Sequence, residues 1–155
     1  MCSSDLMEGD AEGTLYGGCL SLLCTSLGTP YEIRTEGKIL FLEDRAEKPY
    51  QIDRMLMQLK LAGKFERVAG IIFGEMLDCA QRRAADETLH DLVVRILGEF
   101  KVPIAFGLKS GHVSGKSFTL PFGVSATLSV GQSVAMKIEA AVQAESPASI
   151  RVSHS

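Results

Sequence analysis

The sequence predicts an α/β domain with a mostly parallel sheet, flanking helices and a C-terminal antiparallel hairpin. Three observations predict it. Apolar runs of strand length alternate three times with amphipathic helical stripes between residues 13 and 108, the pattern of parallel βαβ units. Fifteen glycines, 6% aromatics and no tryptophan suit short strands joined by tight turns better than a helical bundle. Two β-like segments then flank the turn signal Gly131-Gln132. With 155 residues, 46% hydrophobic and 23% charged, the chain can build one core. Domains of this size also serve as halves of larger enzymes, so a catalytic set need not be complete within it.

Residues 1–11 are polar and unpatterned and read as a disordered or non-native leader; the domain is expected over 12–145 and a flexible tail over 146–155. Gly13 to Tyr16 reads as a short strand entering Gly17-Gly18, and Cys19 to Leu27 as a short helix stopped by Gly28 and Pro30. The nearly continuous apolar run Lys38 to Leu42 suits a central strand covered on both faces. Ile52, Met55, Leu56 and Leu59 recur at i, i+3, i+4 and i+7, one face of a helix ending near Gly63. Val68 to Met76 is the next strand, and Asp86 to Phe100 the next helix, with Leu89, Leu92, Val93, Ile96 and Leu97 as its stripe. Asp86 and Glu87 sit at its positive amino end. Ile104 to Leu108 forms a strand feeding the loop Ser110-Gly111-His112-Val113-Ser114-Gly115-Lys116. Val124 to Val130 and Met136 to Val142 make the hairpin.

Several function classes fall away. The formal charge of −3, with no block of Lys or Arg, leaves no footprint for nucleic acid or an anionic membrane. No apolar run approaches the roughly 18 residues of a membrane span, and the amino terminus lacks a cationic segment followed by an apolar one, which reads as a cytoplasmic product. Cys2, Cys19, Cys24 and Cys79 lack paired C-x-x-C spacing, so no metal or redox site is expected, and no cofactor. Gly115-Lys116-Ser117 has the end of a phosphate loop, but the first glycine that motif needs would fall at Ser110, and no helix start follows. No G-x-S-x-G elbow occurs, and nothing marks Ser110, Ser114 or Ser117 as an activated nucleophile. A glycosidase pair built with Asp44 or Glu47 needs an opposed geometry that spacing does not supply. His90 reads as a solvated helix residue and His154 as part of the tail.

In open parallel sheets functional groups gather at the carboxyl ends of strands. Glu43 follows one such strand directly, and His112 lies in the loop after another. A carboxylate on an imidazole Nδ1 would fix the tautomer and stabilise the imidazolium, as in a hydrolytic triad. Equally, a carboxylate after a strand can be a cap or a surface charge, and a loop histidine can be merely solvated.

The stretch Gly17-Gly18-Cys19-Leu20-Ser21-Leu22-Leu23, then Leu27-Gly28-Thr29-Pro30, Ile39-Leu40-Phe41-Leu42-Glu43-Asp44 and Tyr50-Gln51-Ile52-Asp53-Arg54-Met55-Leu56, resembles the carboxyl-terminal domain of LD-carboxypeptidases. That group also contains the microcin C immunity hydrolases. Gly70-Ile71-Ile72-Phe73-Gly74, Pro103-Ile104, Gly107, Gly111-His112 and Leu120-Pro121-Phe122-Gly123 agree in order, so the likeness covers roughly residues 13 to 130. The resemblance implies a swivelling-type β/α domain of a cytoplasmic, homodimeric serine peptidase with a Ser-His-Glu triad, which releases terminal D-alanine from a murein tetrapeptide during peptidoglycan recycling. It implies Glu43 and His112 as the triad glutamate and histidine, and Gly17, Gly18 and Cys19 as substrate-binding. The family commonly has asparagine where Cys19 stands. By the same resemblance the nucleophile belongs to a preceding domain, so this chain alone is expected to be inactive. A microcin-type amidase half and a non-catalytic assembly domain are the alternatives.

Overall fold

The computed structural model describes residues 5–79 and 87–139. Among these residues seven strands form one sheet in the order β1-β5-β4-β3-β2-β6-β7. They are β1 (Asp5–Met7), β2 (Gly9–Cys19), β3 (Lys38–Glu43), β4 (Gly70–Gly74), β5 (Ile104–Leu108), β6 (Ser125–Val130) and β7 (Val134–Ile138), with helices α1 (Leu20–Thr25), α2 (Pro49–Leu61) and α3 (Leu89–Leu97) between them. The central strands β2, β3, β4 and β5 run parallel, as expected from the alternation. Strands β6 and β7 form the antiparallel hairpin, with Val130 opposite Val134 across the Gly131-Gln132 turn.

The expected leader is corrected for the residues described. Asp5–Met7 pairs antiparallel with β5, and Gly9, Asp10 and Ala11 are the first residues of β2, paired with β6. Strand β2 is thus longer than its apolar part. Its first half pairs with β6 and its second half, through Gly17 and Gly18, with β3. The expected tail, His154 and Cys2 lie outside the described residues, as do the last residues of the expected second hairpin strand.

Both longer helices start where side chains satisfy free amides. Pro49 occupies the first position of α2, where a missing N–H costs nothing, and the Gln51 side chain accepts from Lys48 N–H at 2.9 Å. Gly63, at φ 70°, follows its end. Helix α3 begins at Leu89, the first residue of its stripe and later than the expected Asp86, because Thr88 caps it. Thr88 Oγ1 accepts from Asp91 N–H at 3.1 Å, and Asp91 returns a bond to Thr88 N–H at 3.2 Å. Glu87, expected at the helix dipole, instead pairs with Arg95 in the last turn at 2.7 Å.

Two clusters fill the interior. Leu40, Leu42, Ile71, Phe73 and Ile104 point to one face and meet residues of all three helices, among them Leu20, Ile52, Leu56, Leu92, Val93 and Ile96. Leu15, Ile39, Phe41, Ile72 and Ala105 point to the other, where Ala126, Leu128 and Val130 of β6 cover them. β3 is therefore buried on both sides, as its continuous apolar run predicts. A Cβ placed on Gly70 of β4 would lie 3.1 Å from Ala11 of β2 and 3.2 Å from Leu128 of β6. Strands two and three places away thus close over β4, and the sheet curls into a half-barrel with the helices on its convex side. Among the described residues, no helix is long and apolar enough to cross a membrane.

Candidate active site

Glu43 is the last residue of β3, on the concave face and beside Cys19 of β2 in parallel register. Its side chain is 7% exposed, against 50% for His112. A buried carboxylate must have its oxygens satisfied, and one residue does much of this. Glu43 Oε2 accepts the His112 backbone N–H at 2.9 Å and meets His112 Nδ1 at 2.8 Å. The pair expected from the strand ends is brought together across 69 positions of chain. A carboxylate can only accept, so in the neutral ring Nδ1 carries the proton and Nε2 presents its lone pair.

Glycines make room for this contact. Gly111 has φ 76°, and a Cβ there would stand 2.6 Å from Glu43 Cδ; a Cβ on Gly74 would stand 2.8 Å from Glu43 Cβ. Any other residue at either position pushes the carboxylate away. On the adjoining strand a Cβ on Gly17 would overlap the carbonyl oxygen of Phe41, so Gly17 is required for strand packing, whereas Gly18 faces open space on the cleft wall. The cleft, about 300 Å³, is lined by Gly18, Phe41, Glu43, Gly111, Phe118 and Phe122, among others. Cys19 Sγ lies 3.2 Å from Ser21 Oγ.

Asp44 shows how neighbouring acids differ. Its Oδ2 accepts Ser21 N–H at 2.9 Å and its Oδ1 accepts Arg45 N–H at 2.8 Å, so it caps α1 and fixes the turn after β3. With both oxygens on backbone amides, Asp44 is not placed as a glycosidase partner of Glu43. Glu75, one residue past β4, accepts Ser114 N–H at 2.7 Å. Sequence reasoning missed both roles; the signal available was position, an acid directly after a strand at the edge that carries Glu43.

None of the described serine hydroxyls bonds to His112. Ser110 Oγ donates to Phe118 O at 2.8 Å, Ser114 Oγ to Glu75 at 3.1 Å, and Ser117 Oγ lies 3.5 Å from Phe118 O. The buried thiols are equally unsuited to attack. Burial first, and the charge of Asp44 second, push the Cys24 thiol up to about 11, and burial raises Cys79 as well. His90 is not simply solvated: its ring packs on Phe106 with centroids 4.8 Å apart. No helix follows Gly115-Lys116-Ser117, so the phosphate-loop reading has no structural support. Among the described residues no cluster of three or more His, Cys, Asp or Glu could hold a metal ion.

A family model described as the LD-carboxypeptidase C-terminal domain matches residues 12–128. A probable murein peptide carboxypeptidase of Bacillus subtilis (strain 168) is 43% identical over 140 residues, which cover 90% of this chain and 43% of that protein. The structure of muramoyltetrapeptide carboxypeptidase from Oxalobacter formigenes superposes with a TM-score of 0.74 at 30% identity, over 86% of this chain and 47% of that one. MccF in complex with glutamyl sulfamoyl guanosine gives 0.75 at 26% identity, over 88% and 41%. The chain spans less than half the length of these proteins. On the family match and the shared fold, it belongs to the family of LD-carboxypeptidase C-terminal domains.

Proposed function

We propose that this chain is the carboxyl-terminal part of a serine-type LD-carboxypeptidase acting on murein tetrapeptide, with His112 as general base and Glu43 as its orienter. The observation that carries the reading is the bond from His112 Nδ1 to the buried carboxylate of Glu43, with no described nucleophile on His112. The likeness to murein peptide carboxypeptidases supplies the substrate class. Nucleophile and oxyanion donors then come from a segment outside this chain.

In the reaction, His112 Nε2 takes the proton of the serine hydroxyl as its Oγ attacks the carbonyl of the bond to terminal D-alanine. Glu43 stabilises the imidazolium, which protonates the leaving amine. Water, deprotonated by the same Nε2, hydrolyses the acyl-enzyme and regenerates serine. Gly18 and Cys19, at the end of β2 beside Glu43, align the peptide. By its resemblance the enzyme is a cytoplasmic homodimer working in peptidoglycan recycling.

The test is D-alanine release from tetrapeptide. The 155-residue chain alone is expected to release none, and the same chain joined to the nucleophile-bearing domain of a relative is expected to be active. In that joined enzyme His112→Ala and Glu43→Gln should each lower kcat by on the order of 10⁴; full activity in both removes the pair from the triad. Similarity to MccF favours one second reading, an amidase for an aminoacyl nucleotide. Cleavage of glutamyl sulfamoyl guanosine with no D-alanine release would select it.

A further inference from the structure

Glu75 stands at the end of β4 much as Glu43 stands at the end of the neighbouring β3. The two carboxylates take alternate amides of a single loop. Glu43 Oε2 accepts the N–H of His112 at 2.9 Å, and Glu75 Oε2 accepts the N–H of Ser114 at 2.7 Å and its hydroxyl at 3.1 Å. The base of the loop is closed separately, by Phe118 N–H on Lys109 O at 2.7 Å and Ser110 Oγ on Phe118 O at 2.8 Å. Between those ends residues 111–117 form no helix or strand, so no ladder holds them in place. Without Glu75, the middle of the loop would be tied to the sheet through one oxygen, Glu43 Oε2, which also has to hold the ring.

We propose that Glu75 is a positioning residue for His112: by clamping Ser114 it stops the loop from swinging, so that Nδ1 stays on Glu43 and Nε2 keeps one direction. The proposal rests on His112 being the general base. A hydrogen bond to an ionised acceptor is the stronger kind, and Glu75 makes two to one residue. A half-exposed histidine on an unclamped loop exchanges rotamers on a timescale of ps–ns, and a base that wanders is a poor one.

Nitrogen-15 NMR of the chain tests this. In the unsubstituted chain the His112 ring, assigned against His112→Ala, is expected as one Nδ1–H tautomer, with amide order parameters at 112 and 114 near about 0.85. Glu75→Ala is expected to take those order parameters below about 0.6 and broaden away the Nδ1 proton, while amides of β3 and β4 keep their shifts. Glu75→Gln, whose amide oxygen still accepts from Ser114, should restore both. Should Glu75→Ala fail to fold, Ser114→Ala removes only the hydroxyl bond and is read by the same two signals. An unchanged Nδ1 proton and unchanged loop order overturn the proposal even if Tm falls, since bracing the fold alone does that. Absence of the Nδ1–H tautomer in the unsubstituted chain is a different failure, removing the Glu43–His112 reading and this proposal with it.

Discussion

The two faces of the sheet are built from different residues, and the difference separates stability from the site. On the convex side Leu40, Leu42, Ile71, Phe73 and Ile104 meet the stripes of three helices. Full burial of each such side chain contributes about 1.5–3 kcal/mol. The concave side is made largely of small residues: Ala11, Gly13, Gly17, Gly70, Gly74, Ala105 and Ala126 stand among Leu15, Ile39, Phe41 and Ile72. Small side chains let β2 and β6 close over β4, and at the carboxyl end they leave the space that Glu43 fills. A face that must curl gives up apolar area, and the opposite face makes it up.

The sharpest way to break this division is to damage each face in turn. Leu56→Ala, on the convex side, where Leu56 is fully buried, is expected to lower unfolding free energy by about 2–5 kcal/mol. The His112 Nδ1–H signal should stay in place; denaturant melts and the histidine spectrum check the two halves. Gly13→Ala, on the concave side, adds a Cβ 2.4 Å from the backbone oxygen of Gly37, which cannot yield as a side chain would. Overpacking there should cost about 1–3 kcal/mol. A stabilised Gly13→Ala chain would show that the concave face is not close-packed.

Away from both faces the effects shrink. Thr88→Ala removes the cap of α3 and should cost about 1 kcal/mol, read as a shift in the urea midpoint. A pH effect comes last. Burial, and the charge of Asp44 after it, push the Cys24 thiol up to about 11 in the folded chain, against an ordinary value of 9.0. The folded state therefore holds more protons between those values, and stability should decline as pH rises from about 9 towards 11. Cys24→Ala should flatten that part of the curve.

The convex face was the legible one. Its stripes, Ile52 to Leu59 and Leu89 to Leu97, carry the helical period, and β3 carries the unbroken apolar run of a doubly covered strand. The concave face hides its strands. In Gly9 to Gly13, Asp10 and Glu12 point to solvent while Ala11 and Gly13 point inward, so the inward positions carry no large apolar side chain to mark a strand. Neither alanine nor glycine registers as a strand former, and the segment passes for a leader. That Glu43 and His112 could meet is legible because each follows a strand at the carboxyl edge of the sheet. Glu75 follows one too, but the strand expected from the apolar pattern runs on to Met76 and takes Glu75 in, whereas β4 ends at Gly74. Ser114, the partner of Glu75, lies 39 positions away.

Strand order also sets a sequence of assembly. β3, α2, β4, α3 and β5 follow one another in the chain and pack as neighbours, whereas β1 must find β5, Asp5 against Ala105, and β2 must find β6, Gly9 against Val130. Closing such long loops is slow relative to local pairing. The His112 loop lies between β5 and β6, so its second anchor is not in place until β6 has paired with β2. Substitutions within residues 111–117 are therefore expected to speed unfolding while leaving the refolding rate nearly unchanged, so that the loop carrying His112 is expected to order late and to loosen early.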